Sequence, residues 1–198
     1  MKAGADLKRL EKSVLYSEEL GIVLRGARDG ELFKWFLASM LFGARISETI
    51  AKNTYRAFEK YRLLDPRDIL RAGWDFLVYP VMREGGYVRY DEKTSRQLLK
   101  VCSDLIDLYG GSLNRLHKEA ADSRDLEKRL DAFYGVGPVT VNIFLRELRP
   151  HWPKADPEPL QAVKKLARTY GIDLARYDRK TVAFTRLEAG LIRLRKGG

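Results

Sequence analysis

One cysteine in 198 residues, Cys102, is the scarcest feature of this sequence. A lone thiol forms no internal disulfide, no four-cysteine iron–sulfur cluster and no cysteine-rich zinc site. Long apolar runs are missing too: no stretch of about 18 uninterrupted apolar residues exists, which excludes a transmembrane helix. The opening Met1-Lys2-Ala3-Gly4-Ala5-Asp6 has no apolar signal core, so export is not expected and a reducing cytoplasm is the natural setting. Asparagine and glutamine number only three and two, a shortage typical of heat-adapted proteins. Alternating strand patterns, internal repeats and low-complexity linkers are also lacking.

What is present is apolar surface and positive charge. Hydrophobic residues make up 45% of the chain, enough for one large domain or two small lobes sharing a cleft. The net charge is +10, and between Gln161 and Gly198 ten Lys/Arg stand against three Asp/Glu. Such a surface attracts phosphate and speeds encounters with nucleic acid. A solvated basic face explains the same numbers, and charge does not decide between them.

Helical periodicity dominates and predicts an all-α fold. The clearest helix spans 92–109, with Leu98, Cys102, Leu105, Ile106 and Tyr109 on one face. Asp91 is its expected N-cap and Gly110-Gly111 its stop. Ser47 is placed to cap a helix over 48–61, and Asp65-Pro66 opens another. The segment 31–42 is apolar almost all round, as a central core helix would be. Further helices are expected at 124–133, 138–148, 159–170 and 179–195. The longest break, from Arg149 to Pro157, reads as a loop within a domain.

Between two of these helices lies Phe133-Tyr134-Gly135-Val136-Gly137-Pro138. Two glycines permit a tight turn with positive φ, and Pro138 starts a helix whose first amides point outward. Such amides, aided by the helix dipole, hold a phosphate oxygen without reading sequence. On its own a Gly-x-Gly turn is weak support for that role; the surroundings add to it.

In those surroundings the chain resembles the helix-hairpin-helix DNA glycosylase superfamily, the group of endonuclease III and the MutY-type and AlkA-type enzymes. The likeness runs from roughly Glu31 to Tyr170 and keeps the family's order. Leu41-Phe42-Gly43-Ala44-Arg45 stands where the family has a Leu-Ser-Ala-Gln-like run. Gly86-Tyr87-Val88-Arg89-Tyr90-Asp91-Glu92-Lys93 resembles the segment leading into its long helix. Phe133 to Thr140 resembles the hairpin Leu-Pro-Gly-Val-Gly-x-x-Thr, and Asp156 follows at about the distance of the family's catalytic aspartate. The departures are definite. Val139 occupies the place of the lysine that forms a Schiff base in bifunctional members. Tyr134 replaces the hairpin proline, and the four-cysteine cluster is absent.

The resemblance implies a two-lobed glycosylase fold, with 31–133 as one lobe and 1–30 plus 134–198 as the other. It implies a monofunctional enzyme acting on duplex DNA that contains a damaged or mismatched base. The setting would be prokaryotic and nucleoid-associated, and the expected state is a monomer. Asp156 would stabilise the cation-like sugar and orient water, with no metal or organic cofactor; capping the next helix is its bland alternative. Glu158 is the second carboxylate to consider. Arg45 would enter the duplex when the base is flipped out, and Tyr134, Gly135, Val136, Gly137, Val139 and Thr140 would contact DNA. Among the aromatics Trp35, Trp74, Tyr79, Tyr87 and Tyr90, the pair Tyr87 and Tyr90 is the better pocket candidate, and Trp35 is expected in the core. His151 reads as a loop histidine and Lys154 as a phosphate contact or, less simply, a displaced nucleophile. A structural Na+ or K+ on the hairpin carbonyls near Phe133 and Val136 is also implied. Two alternatives stand beside this: a non-catalytic duplex-binding protein with the same hairpin, and an RNA-binding basic face.

Overall fold

The computed structural model describes residues 3–196, so Met1, Lys2, Gly197 and Gly198 of the two termini lie outside it. Every regular element among the described residues is helical. Eleven α-helices follow in order among them. They are α1 (Ala3–Leu10), α2 (Tyr16–Glu19), α3 (Asp29–Gly43), α4 (Glu48–Lys60), α5 (Pro66–Phe76) and α6 (Asp91–Tyr109). Then come α7 (Leu113–Glu119), α8 (Ser123–Asp131), α9 (Pro138–Leu148), α10 (Gln161–Thr169) and α11 (Val182–Lys196).

α3 is central, as its all-round apolar sequence requires. Leu32, Trp35, Phe36, Leu37 and Leu41 are fully buried, and the Trp35 indole donates to the Phe144 carbonyl at 3.0 Å. That bond ties α3 to α9, whose residues from Thr140 to Leu148 are all buried. The two helices approach closely at Gly43, where a β-carbon would lie 2.2 Å from the Thr140 hydroxyl. A larger residue at Gly43 would push α9 away. Side chains from α3 to α9, with Trp152 and Ala155 of the following loop, form one hydrophobic cluster. A smaller cluster of Leu10, Val163, Ala167, Leu187 and Leu191 packs α1, α10 and α11 together.

The expected caps hold in two cases. Ser47 accepts from the Ile50 amide at 3.2 Å, and Asp65 accepts from the Arg67 amide at 2.8 Å. The third differs: Tyr90, left-handed at φ 67°, precedes the first turn of α6, and Asp91 is the first helical residue. Asp91 is buried; its carboxylate accepts from the Glu92 amide at 2.9 Å and faces Arg83 at 3.5 Å. Gly110 and Gly111, both at positive φ, end α6 as expected. α10 and α11 start later than periodicity suggests. Pro159, Arg179 and Lys180 stay outside them, and both basic side chains reach back to the Pro153–Glu158 loop.

Candidate nucleic-acid interface and active site

The turn between α8 and α9 is built from the inside out. Leu126, Leu130 and Phe133 are buried, so α8 delivers the chain against the core. Gly135 then takes φ 81°, with the Gln97 side chain so close that an added β-carbon would lie 2.2 Å from it. Only glycine suits both demands. Val136 turns inward and its amide donates to the Phe133 carbonyl at 3.0 Å. Gly137 differs from the expected second positive-φ glycine: at φ −115°, ψ 176° it is extended, and an added β-carbon would meet nothing within 4 Å. It stands in open space as the N-cap of α9, with Pro138 next. The first helical bond runs from the Val141 amide to the Gly137 carbonyl at 3.0 Å, which leaves the Val139 and Thr140 amides without helical acceptors.

The side chains expected to meet a nucleic acid divide accordingly. Tyr134 and Val139 are more than half exposed. Val136 and Thr140 are buried, so these two offer no side-chain contact; Thr140 is consumed by the close approach of Gly43. Arg45 is exposed on the loop between α3 and α4. Gly43, two residues before it, lies against Thr140, so the end of α3 that leads into this loop meets the first turn of α9.

Asp156 is held by arginines. Its carboxylate accepts from Arg179 Nε at 2.9 Å and lies 3.6 Å from Arg149 Nε. Arg149 is wholly buried, paired with the equally buried Glu188, and donates to the Pro157 carbonyl. Asp156 does not cap α10, whose N-cap is Leu160. Glu158 accepts from Arg179 and, at 2.8 Å, from Lys164, and these bonds pull its carboxyl down to about 2.

A cavity of about 490 Å³ lies between α8, the start of α9 and the 157–160 loop. Val139 and Asn142 line it from α9, Glu127 from α8, and Pro157 and Glu158 from the loop. Asn142 clamps the loop by donating to the Glu158 carbonyl at 2.8 Å. Glu127 escapes a reading of the sequence, where it is one more helical acid beside Leu126. Here burial, followed by the negative charges of Asp156 and Glu158, raises its pKa. A smaller cavity of about 130 Å³, lined by Tyr16, Phe42 and Arg146 among others, lies on the other side of Val139.

The remaining candidates separate into core and surface. Tyr87 is buried and bonds Thr94 at 2.7 Å, so it cannot stack on an incoming base; the chain turns it inward after Gly86 at φ 79°. Trp35 is core, as expected. Tyr90 is about half exposed with the Arg89 guanidinium 5.0 Å from its ring centre, and Tyr79 is similarly exposed beside Arg83 at 4.3 Å. Trp74 donates to the Glu92 carbonyl at 3.2 Å. The Lys154 amine donates to the carbonyls of His117, Lys118 and Ala120, closing the end of α7. His151 is partly buried, and burial with nearby Arg25 lowers its pKa.

The basic C-terminal segment is less free than its composition suggests. Lys180 donates to the Pro153 and Ala155 carbonyls at 2.8 and 2.7 Å. Arg186 binds Glu18 and the Ser13 carbonyl, and Arg193 binds Glu19 and the Val14 carbonyl. With Arg179, these cations serve tertiary structure. Among the described residues no group of three His, Cys, Asp or Glu side chains is placed to hold a metal ion. Nor is any described helix long and apolar enough to cross a membrane. Comparison with protein-family models, curated proteins and solved structures finds no match to this chain.

Proposed function

We propose that this protein binds duplex DNA through a helix-hairpin-helix formed by α8, the 133–138 turn and α9, and hydrolyses the N-glycosidic bond of an extruded base. The observation that carries this reading is convergence. The free start of α9 and the loop that follows Asp156 border one cavity, and the end of α3, which leads to Arg45, packs on the first turn of α9. In this reading residues 31–133 form one lobe and the flanking segments the other.

A phosphate oxygen would sit on the amides at the start of α9, with Gly137 leaving room for it. Arg45 would fill the gap left by the flipped base. Asp156 would face the developing positive charge on the sugar and orient water. The water oxygen bonds to C1′ as the C1′–N bond breaks, and the base leaves with a proton. Val139 offers no nucleophile at the family's lysine position, and Lys154 is already committed, so hydrolysis without strand cleavage follows. A Na+ or K+ on the turn's carbonyls would stiffen it without entering the reaction.

A second reading, duplex binding without chemistry, is favoured by one specific contact. Two guanidinium groups already neutralise Asp156. Incubating wild type and Asp156→Asn with a panel of lesion-bearing duplexes, scored with and without alkali, separates the two. Alkali-dependent strand breaks that vanish in the variant support the glycosylase. Duplex binding with no release from any lesion supports the second reading, and release unchanged in the variant removes Asp156 from the mechanism.

A further inference from the structure

Two residues that line the cavity beside the turn carry acceptors with no hydrogen-bond partner in the fold. Asn142 is 6% exposed, and its Nδ2 is fixed by the Glu158 carbonyl, so Oδ1 is the atom left over. That oxygen is buried without a hydrogen-bond partner. Leaving such an atom unpaired is unfavourable, and a donor that reached it from the cavity would offset that. Glu127, partly buried on the facing helix, has no hydrogen-bonded partner either, although the arginines that serve Asp156 are near enough to influence it. Between these groups the walls are apolar, with Val139 on one side and Pro157 on another, while Arg124 and Lys128 stand at the rim.

We infer that this cavity is a nucleobase site selective for bases bearing an exocyclic amino group, read by Glu127 and Asn142. The inference rests on the proposed function for the source of the base, and deepens it by naming a substrate class. An amino group presents two N–H donors: one meets Asn142 Oδ1 and the other a Glu127 oxygen. The apolar walls take the faces of a flat ring, and the cations at the rim suit the flanking phosphates. Uracil and hypoxanthine place a carbonyl oxygen where the amino group would be. That oxygen would face two acceptors, an arrangement a hydrogen-bonding site rejects strongly.

The test is a ligand-observed NMR titration of the full chain with 9-methyladenine, 1-methylcytosine and 1-methyluracil. It is run on wild type, Glu127→Ala and Asn142→Ala, beside a duplex-binding assay. Wild type is expected to bind an amino-bearing base at least about tenfold more tightly than methyluracil, and each variant to lose that preference. Glu127→Ala breaks no hydrogen bond of the fold, so it carries the test if Asn142→Ala, which frees the loop, unfolds. Equal binding of all three bases, or a preference that survives Glu127→Ala, overturns the inference. A chain that binds duplex and releases bases yet binds no free amino base also overturns it while leaving the proposed function standing. Amino-base binding in a chain that ignores duplex DNA supports the site and sinks the proposed function instead.

Discussion

α9 begins and ends among polar and charged groups, yet its two ends differ in how those groups are satisfied. At the C-terminal end the charged groups are buried and pair with one another, although Arg146 Nε, Arg149 Nε and Glu188 Oε1 make no hydrogen bond. Arg149 holds Glu188, the Pro157 carbonyl and Asp156, while the buried Glu147 accepts from the Tyr16 and Ser17 amides at 3.0 Å each. At the N-terminal end the amides of the first turn, Asn142 Oδ1 and Glu127 have no such partners. Both ends leave polar atoms unmet, but only the N-terminal end sets free helix amides beside a cavity of about 490 Å³. Free amides next to open space, more than charge density, mark the end that can take a ligand.

Removing the key of the C-terminal end should have the largest effect. Arg149→Met leaves Glu188 buried and unpaired, a loss of about 3–5 kcal/mol, read as a large fall in thermal stability. An unchanged melting temperature would mean the network is not what holds the Asp156 loop. At the open end Gly135→Ala should cost about 1–2 kcal/mol, because an L side chain is strained at φ 81°. Denaturant unfolding measures it, and a neutral result would show that the turn relaxes freely.

Glu127→Gln is the smallest perturbation and the sharpest contrast. A carboxyl whose pKa is raised in the folded state binds protons more tightly there, so its contribution to stability falls as pH rises above the usual value of 4.5. The variant should therefore be at least as stable as wild type at neutral pH, and should lose part of the pH dependence above 4.5. A variant clearly less stable at pH 7 would place Glu127 with the structural carboxylates. Glu158 runs the other way. Its lowered carboxyl contributes stability above the ordinary carboxylate range, and that contribution disappears as pH falls towards about 2.

The sequence makes the helices legible because burial has a period in α4 and α6, while α3 is apolar almost all round, as a central helix must be. Gly135 is legible too, since turn chemistry is local. Tyr87 is not: a glycine-led aromatic segment reads the same whether its ring faces in or out, and Thr94 decides it only in the fold. The C-terminal cations are not either. Arg186 finds Glu18 across 168 residues, and no pattern in the sequence signals such a pairing. Glu127 is illegible for the opposite reason, since what distinguishes it is the lack of a hydrogen-bonded partner.

The account stands most directly on the free face of the turn. Gly137 has an extended backbone open to any residue, and a side chain added there meets nothing in the protein. Gly137→Val should therefore fold normally yet block the approach of a phosphate to the α9 amides. The deciding measurement is fluorescence anisotropy of a labelled duplex titrated with both proteins across a range of salt concentrations. Salt-sensitive binding by wild type, strongly weakened in a folded Gly137→Val, is the expected result. Equal affinity of the two proteins would contradict the claim that this turn is the DNA contact.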